Sequence, residues 1–214
     1  MRGLLYTLVL GVTFLLLPAC NGLFDDLYDT PIDNSVKTGF IKVDSINNSG
    51  TIYIDATSYL HWIYLDLHNK RVDTTSVYSE TVPTNWDIAV HRYDAKTNDA
   101  SVLETEFESF DELFNSSSMP QGEFQKDTLS EIPVDMSDMI NDNIIYHKTM
   151  ANQILSRWLD VDIRIMPPIY TLSKKVYIVK FKDGTVAALL LTNFMSSSLV
   201  KGFMTIDYIY PLKF

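Results

Sequence analysis

Cysteine is nearly absent: the 214-residue chain has one, Cys20. A single thiol makes no intrachain disulfide, so a disulfide scaffold is excluded, as are zinc fingers and iron–sulfur centres that need several thiolates. Basic residues are also scarce, 17 Lys and Arg against 27 Asp and Glu, giving a formal net charge of -10. Such a chain gains nothing from a phosphate backbone, which removes nucleic acid from the candidate partners. Glycine and proline number eight each and no block repeats, which excludes collagen-like, linker-rich and solenoid architectures. Phosphate-cradling glycine loops, a Gly-x-Ser-x-Gly turn and a His-Glu-x-x-His motif are all missing, so nucleotide chemistry, triad hydrolysis and zinc proteolysis have no signature. A hydrolase built on paired carboxylates stays open as an alternative, although no pair of acids is singled out.

What is present is bulk. Hydrophobic residues make up 46% of the chain and aromatics 12%, enough to build a packed core and to exclude intrinsic disorder.

The first twenty residues differ from the rest. Arg2 precedes an apolar run from Leu4 to Leu16, and Leu17-Pro18-Ala19 places small residues before Cys20. The run is too short to span a bilayer comfortably and looks like a bacterial lipoprotein signal. Residues 1–19 are therefore expected to be a cleaved signal peptide, with Cys20 becoming the lipidated N-terminus. Loss of Arg2 leaves a mature charge of -11 and a mature domain without a free thiol, which removes cysteine proteases. Several acyl chains should anchor the protein stably. Residues 20–38, with Asp25, Asp26, Asp29 and Asp33, read as a flexible acidic tether, and 39–214 as a single domain.

Within that domain the pattern is of period two. Phe40–Asp44 and Thr51–Asp55 alternate about an Asn47–Gly50 turn, and Ser58–Leu67 and Trp86–Tyr93 are also strand-like. Residues Asp94–Ser130 read as a long polar excursion, with Asn115–Gly122 the most loop-like part. The apolar residues of Asp135–Trp158 partly fit helical spacing, which predicts a short helix near 149–155. Lys175–Phe181 and Thr185–Asn193 flank a Lys182-Asp183-Gly184 turn as a hairpin, and Gly202–Tyr210 forms a last strand ended by Pro211. The expected fold class is all-β, of predominantly antiparallel packed sheets.

Four histidines, His61, His68, His91 and His147, fit hydrogen-bonded strand positions; His147, near Met139 and Met150, is the one that also suits a haem or metal ligand. Methionine is the more suggestive residue. Met136, Met139 and Met166 sit in turn-like sequence, and Met166 precedes Pro167-Pro168, which stiffens its loop. Thioether sulfur is a soft donor suited to haem iron or Cu(I). The plain alternative is that all three fill gaps in the core.

Four stretches then bear on family. They are Ile54-Asp55-Ala56-Thr57-Ser58-Tyr59 with Trp62; Asn85-Trp86-Asp87-Ile88-Ala89-Val90-His91-Arg92-Tyr93-Asp94; Pro168-Ile169-Tyr170-Thr171-Leu172-Ser173 leading into Val176-Tyr177-Ile178-Val179; and Thr205-Ile206-Asp207-Tyr208-Ile209-Tyr210-Pro211. Together they resemble the HmuY family of haem-binding lipoproteins, haemophores of Bacteroides-type bacteria, with the Trp-Asp-x-Ala-x-His-Arg-Tyr-Asp segment the most specific. The resemblance implies packed β-sheets in which two loop regions of the C-terminal half hold one haem b (iron protoporphyrin IX) between axial ligands. It also implies iron acquisition without catalysis: capture of haem at the outer membrane, on a lipid anchor, for delivery to a receptor. Asp25-Asp26 after Cys20 resembles a signal for surface exposure, the periplasmic face being the other placement. Where the founding type has two histidine ligands, this chain has Ile163 at the second position and no histidine from Lys148 to Phe214. The resemblance therefore implies a methionine variant, with Met166 in the second ligand loop and Met136 or Met139 in the first, and a structural His91. The alternative function is a surface lipoprotein of the same fold that binds a glycan or protein.

Overall fold

The computed structural model describes residues 37–165 and 167–214. The expected signal peptide, Cys20, the expected tether as far as Val36, and Met166 lie outside the described residues.

Two antiparallel sheets face each other. The larger has the order β1-β2-β15-β14-β13-β7-β8 and uses β1 (Gly39–Asp44), β2 (Ser49–Asp55), β7 (Ser101–Glu104), β8 (Gln125–Lys126), β13 (Tyr177–Lys180), β14 (Val186–Met195) and β15 (Lys201–Ile209). The smaller, β4-β3-β5-β6, uses β3 (His61–Asp66), β4 (Arg71–Ser76), β5 (Ile88–His91) and β6 (Asp94–Thr97). Alternation along each strand sends one row into the space between them. Ile52 and Ile54, Ile63 and Leu65, Tyr177 and Val179, and Met204 and Ile206 all belong to this main core.

The opposite rows are also covered, which explains why β3 and β13 are buried almost throughout. Behind the larger sheet, Ile178, Ala188 and Ile209 pack with Leu113 of helix α1 (Phe110–Asn115). Ser109 caps that helix, its side chain accepting from the Glu112 backbone N–H at 3.2 Å. Behind the smaller sheet, Trp62, Tyr64 and Ala89 pack against Ile132 and Val134 of β9 (Thr128–Asp138). Strand β9 pairs with β10 (Asn143–Ala151) as a separate ribbon, and β11 (Leu159–Asp162) pairs with β12 (Ile169–Leu172) as another.

The antiparallel all-β expectation agrees with this architecture, and the N-terminal and C-terminal hairpins fall where the alternation puts them. Two local expectations are corrected. The stretch near 149–155 is not an α-helix: Thr149–Ala151 ends β10, and a 3-10 turn occupies Leu155–Trp158. Ile144, Ile145, Tyr146 and Thr149 are β-branched or aromatic, and Asp142, at φ 60°, turns the chain back along β9, so pairing prevails over a weak helical pattern. The α-helix instead lies in the segment read as irregular, Asp94–Ser130, which also contributes β6, β7 and β8 to the sheets. Among the described residues no helix is long and apolar enough to cross a membrane.

Candidate functional site

The two ribbons and one end of the smaller sheet enclose a cleft of about 780 Å³, in the upper part of the range of about 300–1,000 Å³ usual for ligand sites. One wall is the β9–β10 tip. Ile132 and Val134 hold the base of β9 against Trp62 and Tyr64, and the same face continues to Met136, which lines the cleft. Past it, Met139–Asn141 makes a 3-10 turn, and Met139 also lines the cleft. Both methionines are half-buried.

The opposite wall is the β11–β12 ribbon. Trp158 fixes its start by donating from Nε1 to the Tyr93 carbonyl at 3.0 Å, and Ser173 returns to the Trp158 carbonyl at 3.0 Å. Within the connecting loop Asp162 accepts from the Arg164 backbone N–H at 3.0 Å and from its guanidinium at 2.8 Å. Those bonds hold the Asp162 carboxyl down at about 2. Ile163 and Pro168, on either side of Met166 in sequence, line the cleft with Val161 and Tyr170.

Tyrosines dominate the remaining lining, from Tyr59, Tyr78 and Tyr93. Burial pushes the Tyr93 phenol up, helped by Asp94, and burial also raises Tyr170 against the opposing charge of Arg92. Both phenols are thereby kept protonated, and a neutral phenol is a poor iron ligand. The described lining holds no histidine, and its soft donors are the Met136 and Met139 sulfurs. A wide, aromatic, largely apolar cleft with thioethers on one wall fits a flat porphyrin and its iron better than a hard, hydrated metal ion.

The histidines have other tasks. His91 is fully buried, with Nε2 2.8 Å from the Tyr59 carbonyl and the ring beside Trp62. His147 packs edge-on against Tyr78 rather than lining the cleft. His61 bonds Ser58 at 2.8 Å. His68 lies past the far end of β3, where Asp66, His68 and Asp87 bring ligand-type atoms within 4.8 Å of one another. There Asp66 is held by Asn69 at 2.9 and 2.7 Å and Asp87 by the Leu67 N–H at 2.7 Å, as braces of a turn.

Thus Met136 and Met139 lie on one lining, while Met166 falls outside the described residues. Tyr59, Tyr93 and Tyr170 were within the family-bearing segments but carried no site signal of their own; only the folding of three separate elements brings them together.

A family model of the HmuY protein matches residues 58–208, more than half of the chain. Among solved structures, a Bacteroides vulgatus protein named for HmuY-like haem binding is 52% identical with a TM-score of 0.78, over 83% of this chain and 100% of that one. A Bacteroides fragilis protein named as a lipoprotein is 47% identical with a TM-score of 0.79, over 82% and 96% respectively. The apo HmuY analog of Tannerella forsythia is 25% identical with a TM-score of 0.66, over 77% and 96%. No curated protein matches the chain.

Proposed function

Because the chain belongs to the HmuY family, we propose that it is a haem-binding lipoprotein that captures haem b in the cleft and passes it to an uptake receptor, without catalytic turnover. The observation that carries this reading is the cleft itself, with Met136 and Met139 on the wall facing the loop that contains Met166 in sequence. In this reading one thioether from the β9–β10 tip and that of Met166 would hold the iron, and the aromatic lining would supply apolar contacts to the ring. Bound haem would supply a redox-active, ligand-accepting iron; the protein's own part is to orient it and exclude water. Lipidation at Cys20 would anchor the protein at the outer membrane, on the cell surface. The leader sequence and the lipoprotein name of the B. fragilis relative support that placement.

Thioethers carry no titrating proton, whereas a histidine ligand must be neutral to bind. Haem binding is therefore expected to persist into mild acid and to strengthen on reduction, since soft sulfur favours ferrous iron. The test is an absorbance titration of the mature protein with haemin, oxidised and then reduced with dithionite. A saturable one-to-one Soret shift, lost in Met136→Ala, Met139→Ala, Met166→Ala triple substitution, is the expected result, and the single variants identify the first ligand. A featureless titration in both redox states would move the function to a glycan or protein partner.

A further inference from the structure

We propose that the cleft selects its ligand by a carboxylate edge, through the charges of Arg92 and Lys201, which lie behind the lining tyrosines Tyr59 and Tyr170. This rests on the haem reading and extends it to which part of the porphyrin is recognised: the propionate side.

Arg92 is the unusual residue. Among the described arginines, Arg71, Arg157 and Arg164 each have a carboxylate within 4.0 Å and are exposed, whereas Arg92 has none and is only 8% exposed. Its Nη1 donates to the carbonyls of Thr57 at 2.8 Å and Ala56 at 3.4 Å, and its Nε has no partner among the described residues. A buried charge without a counter-ion costs several kcal/mol in general, so an anion that completes it is strongly favoured. The guanidinium carbon lies 4.5 Å from the Tyr59 ring centroid, and Tyr59 lines the cleft.

Lys201 adds a second cation. Its Nζ sits 4.2 Å over the ring of Tyr170, another lining residue, and has no carboxylate partner among the described residues. Phe194 stacks with Tyr170 at 5.5 Å. Both cations thus bear on tyrosines of one side of the cleft, in a chain of net charge -10 that would otherwise repel an anionic ligand. The nearby acids are placed elsewhere. Asp135 lines the cleft on the β9–β10 ribbon, Asp94 faces His91 at 3.7 Å, and Asp162 is taken by Arg164. The ligand class that fits is a flat, apolar ring carrying carboxylates along one edge, which turns that edge toward Tyr59 and Tyr170 and away from Asp135.

The test compares haemin with haemin dimethyl ester, and iron-free protoporphyrin IX with its dimethyl ester, by absorbance and fluorescence titration of the mature protein. The expected result is about tenfold weaker binding of each ester, on the scale of one charge acting across a ring in a partly buried site. Added salt should weaken binding of the free acids and leave the esters unaffected. Lys201→Gln, at a partly exposed position, should reduce the discrimination with the fold intact, and Arg92→Lys should retain more of it than Arg92→Gln. Equal affinity for acid and ester, or discrimination unchanged in Lys201→Gln and Arg92→Gln, overturns the inference. If the iron-free acid binds and discriminates while haemin shows no ligation spectrum, the recognition of the propionate edge stands and the methionine ligation fails. If no porphyrin binds, both fall.

Discussion

Removing the hydroxyl of Tyr208 is expected to stabilise the protein, the reverse of the usual effect of a buried tyrosine-to-phenylalanine change. Tyr208 is fully buried in β15 and its hydroxyl has no hydrogen-bond partner among the described residues. It fills the space beside Gly50, where an added Cβ would lie 2.6 Å from the hydroxyl oxygen. Burial raises its pKa, as expected for a phenol that has given up water without replacement. An unsatisfied buried hydroxyl costs about 1–3 kcal/mol. Against this, Tyr208→Phe forfeits a few dispersion contacts of about 0.1–0.2 kcal/mol each. The ring contacts survive: Phe40 still packs edge-on at 5.5 Å and Lys70 still lies 4.6 Å from the ring centroid. The net gain is about 1 kcal/mol, or about 2–4 °C in Tm for a protein of this size. Tyr177→Phe is the control. Tyr177 is buried as deeply, but its hydroxyl donates to Ser173 Oγ at 3.1 Å, so the same substitution there should cost about 1 kcal/mol. Urea unfolding of both variants measures the difference. Loss of stability in Tyr208→Phe comparable to that in Tyr177→Phe would refute the reasoning, because it would mean that water satisfies the hydroxyl.

Gly202→Ala should destabilise by more than the usual glycine effect of about 1 kcal/mol, because its φ is +105° and a Cβ would lie 2.6 Å from Arg92 Nη1 and 3.0 Å from Thr57 Cα; equilibrium unfolding against wild type checks it, and a neutral result would refute the packing around Arg92. His68 gives a pH dependence. Burial disfavours its charge, but the hydrogen bonds and fields of Asp87 and Asp183 outweigh that and raise its pKa. Its folded pKa thus exceeds the unfolded value of about 6.5, so its contribution is full below that pH and is lost as pH rises through the folded pKa. With 43% of the side chain exposed the effect is screened and small. Unfolding measured between about pH 6 and 8 should show stability falling across that window in wild type and not in His68→Gln.

Much of the sandwich was legible because its strands obey simple rules. The Asp183–Gly184 turn is the clearest case: Gly184 adopts φ +85°, and β13 and β14 pair on either side of it. The middle of the chain was not legible for a physical reason. Strands β6 and β7 have four residues each, too few to display alternation, and exist because neighbours accept their hydrogen bonds. The β9–β10 ribbon was obscured by its exposure, since only part of one face meets the core and its methionines weakly imitate a helical spacing. The site divides in the same way. Met136 and Met139 stood out by residue type in irregular sequence, whereas the pairing of Arg92 with Tyr59 and of Lys201 with Tyr170 depends on elements far apart in the chain meeting in space.

The ribbons that wall the cleft belong to neither main sheet. Each is tied at its base, through Val134 against Trp62 and Tyr64 or through Trp158 to Tyr93, while the tips carry exposed side chains such as Ile140 and Ile165. Inheritance can therefore act on the two parts at different rates. Substitutions at the tips reshape the opening with little effect on folding, whereas the platform beneath them tolerates few. A lineage on such a scaffold can change the shape and chemistry of the cleft mouth by rewriting two short turns.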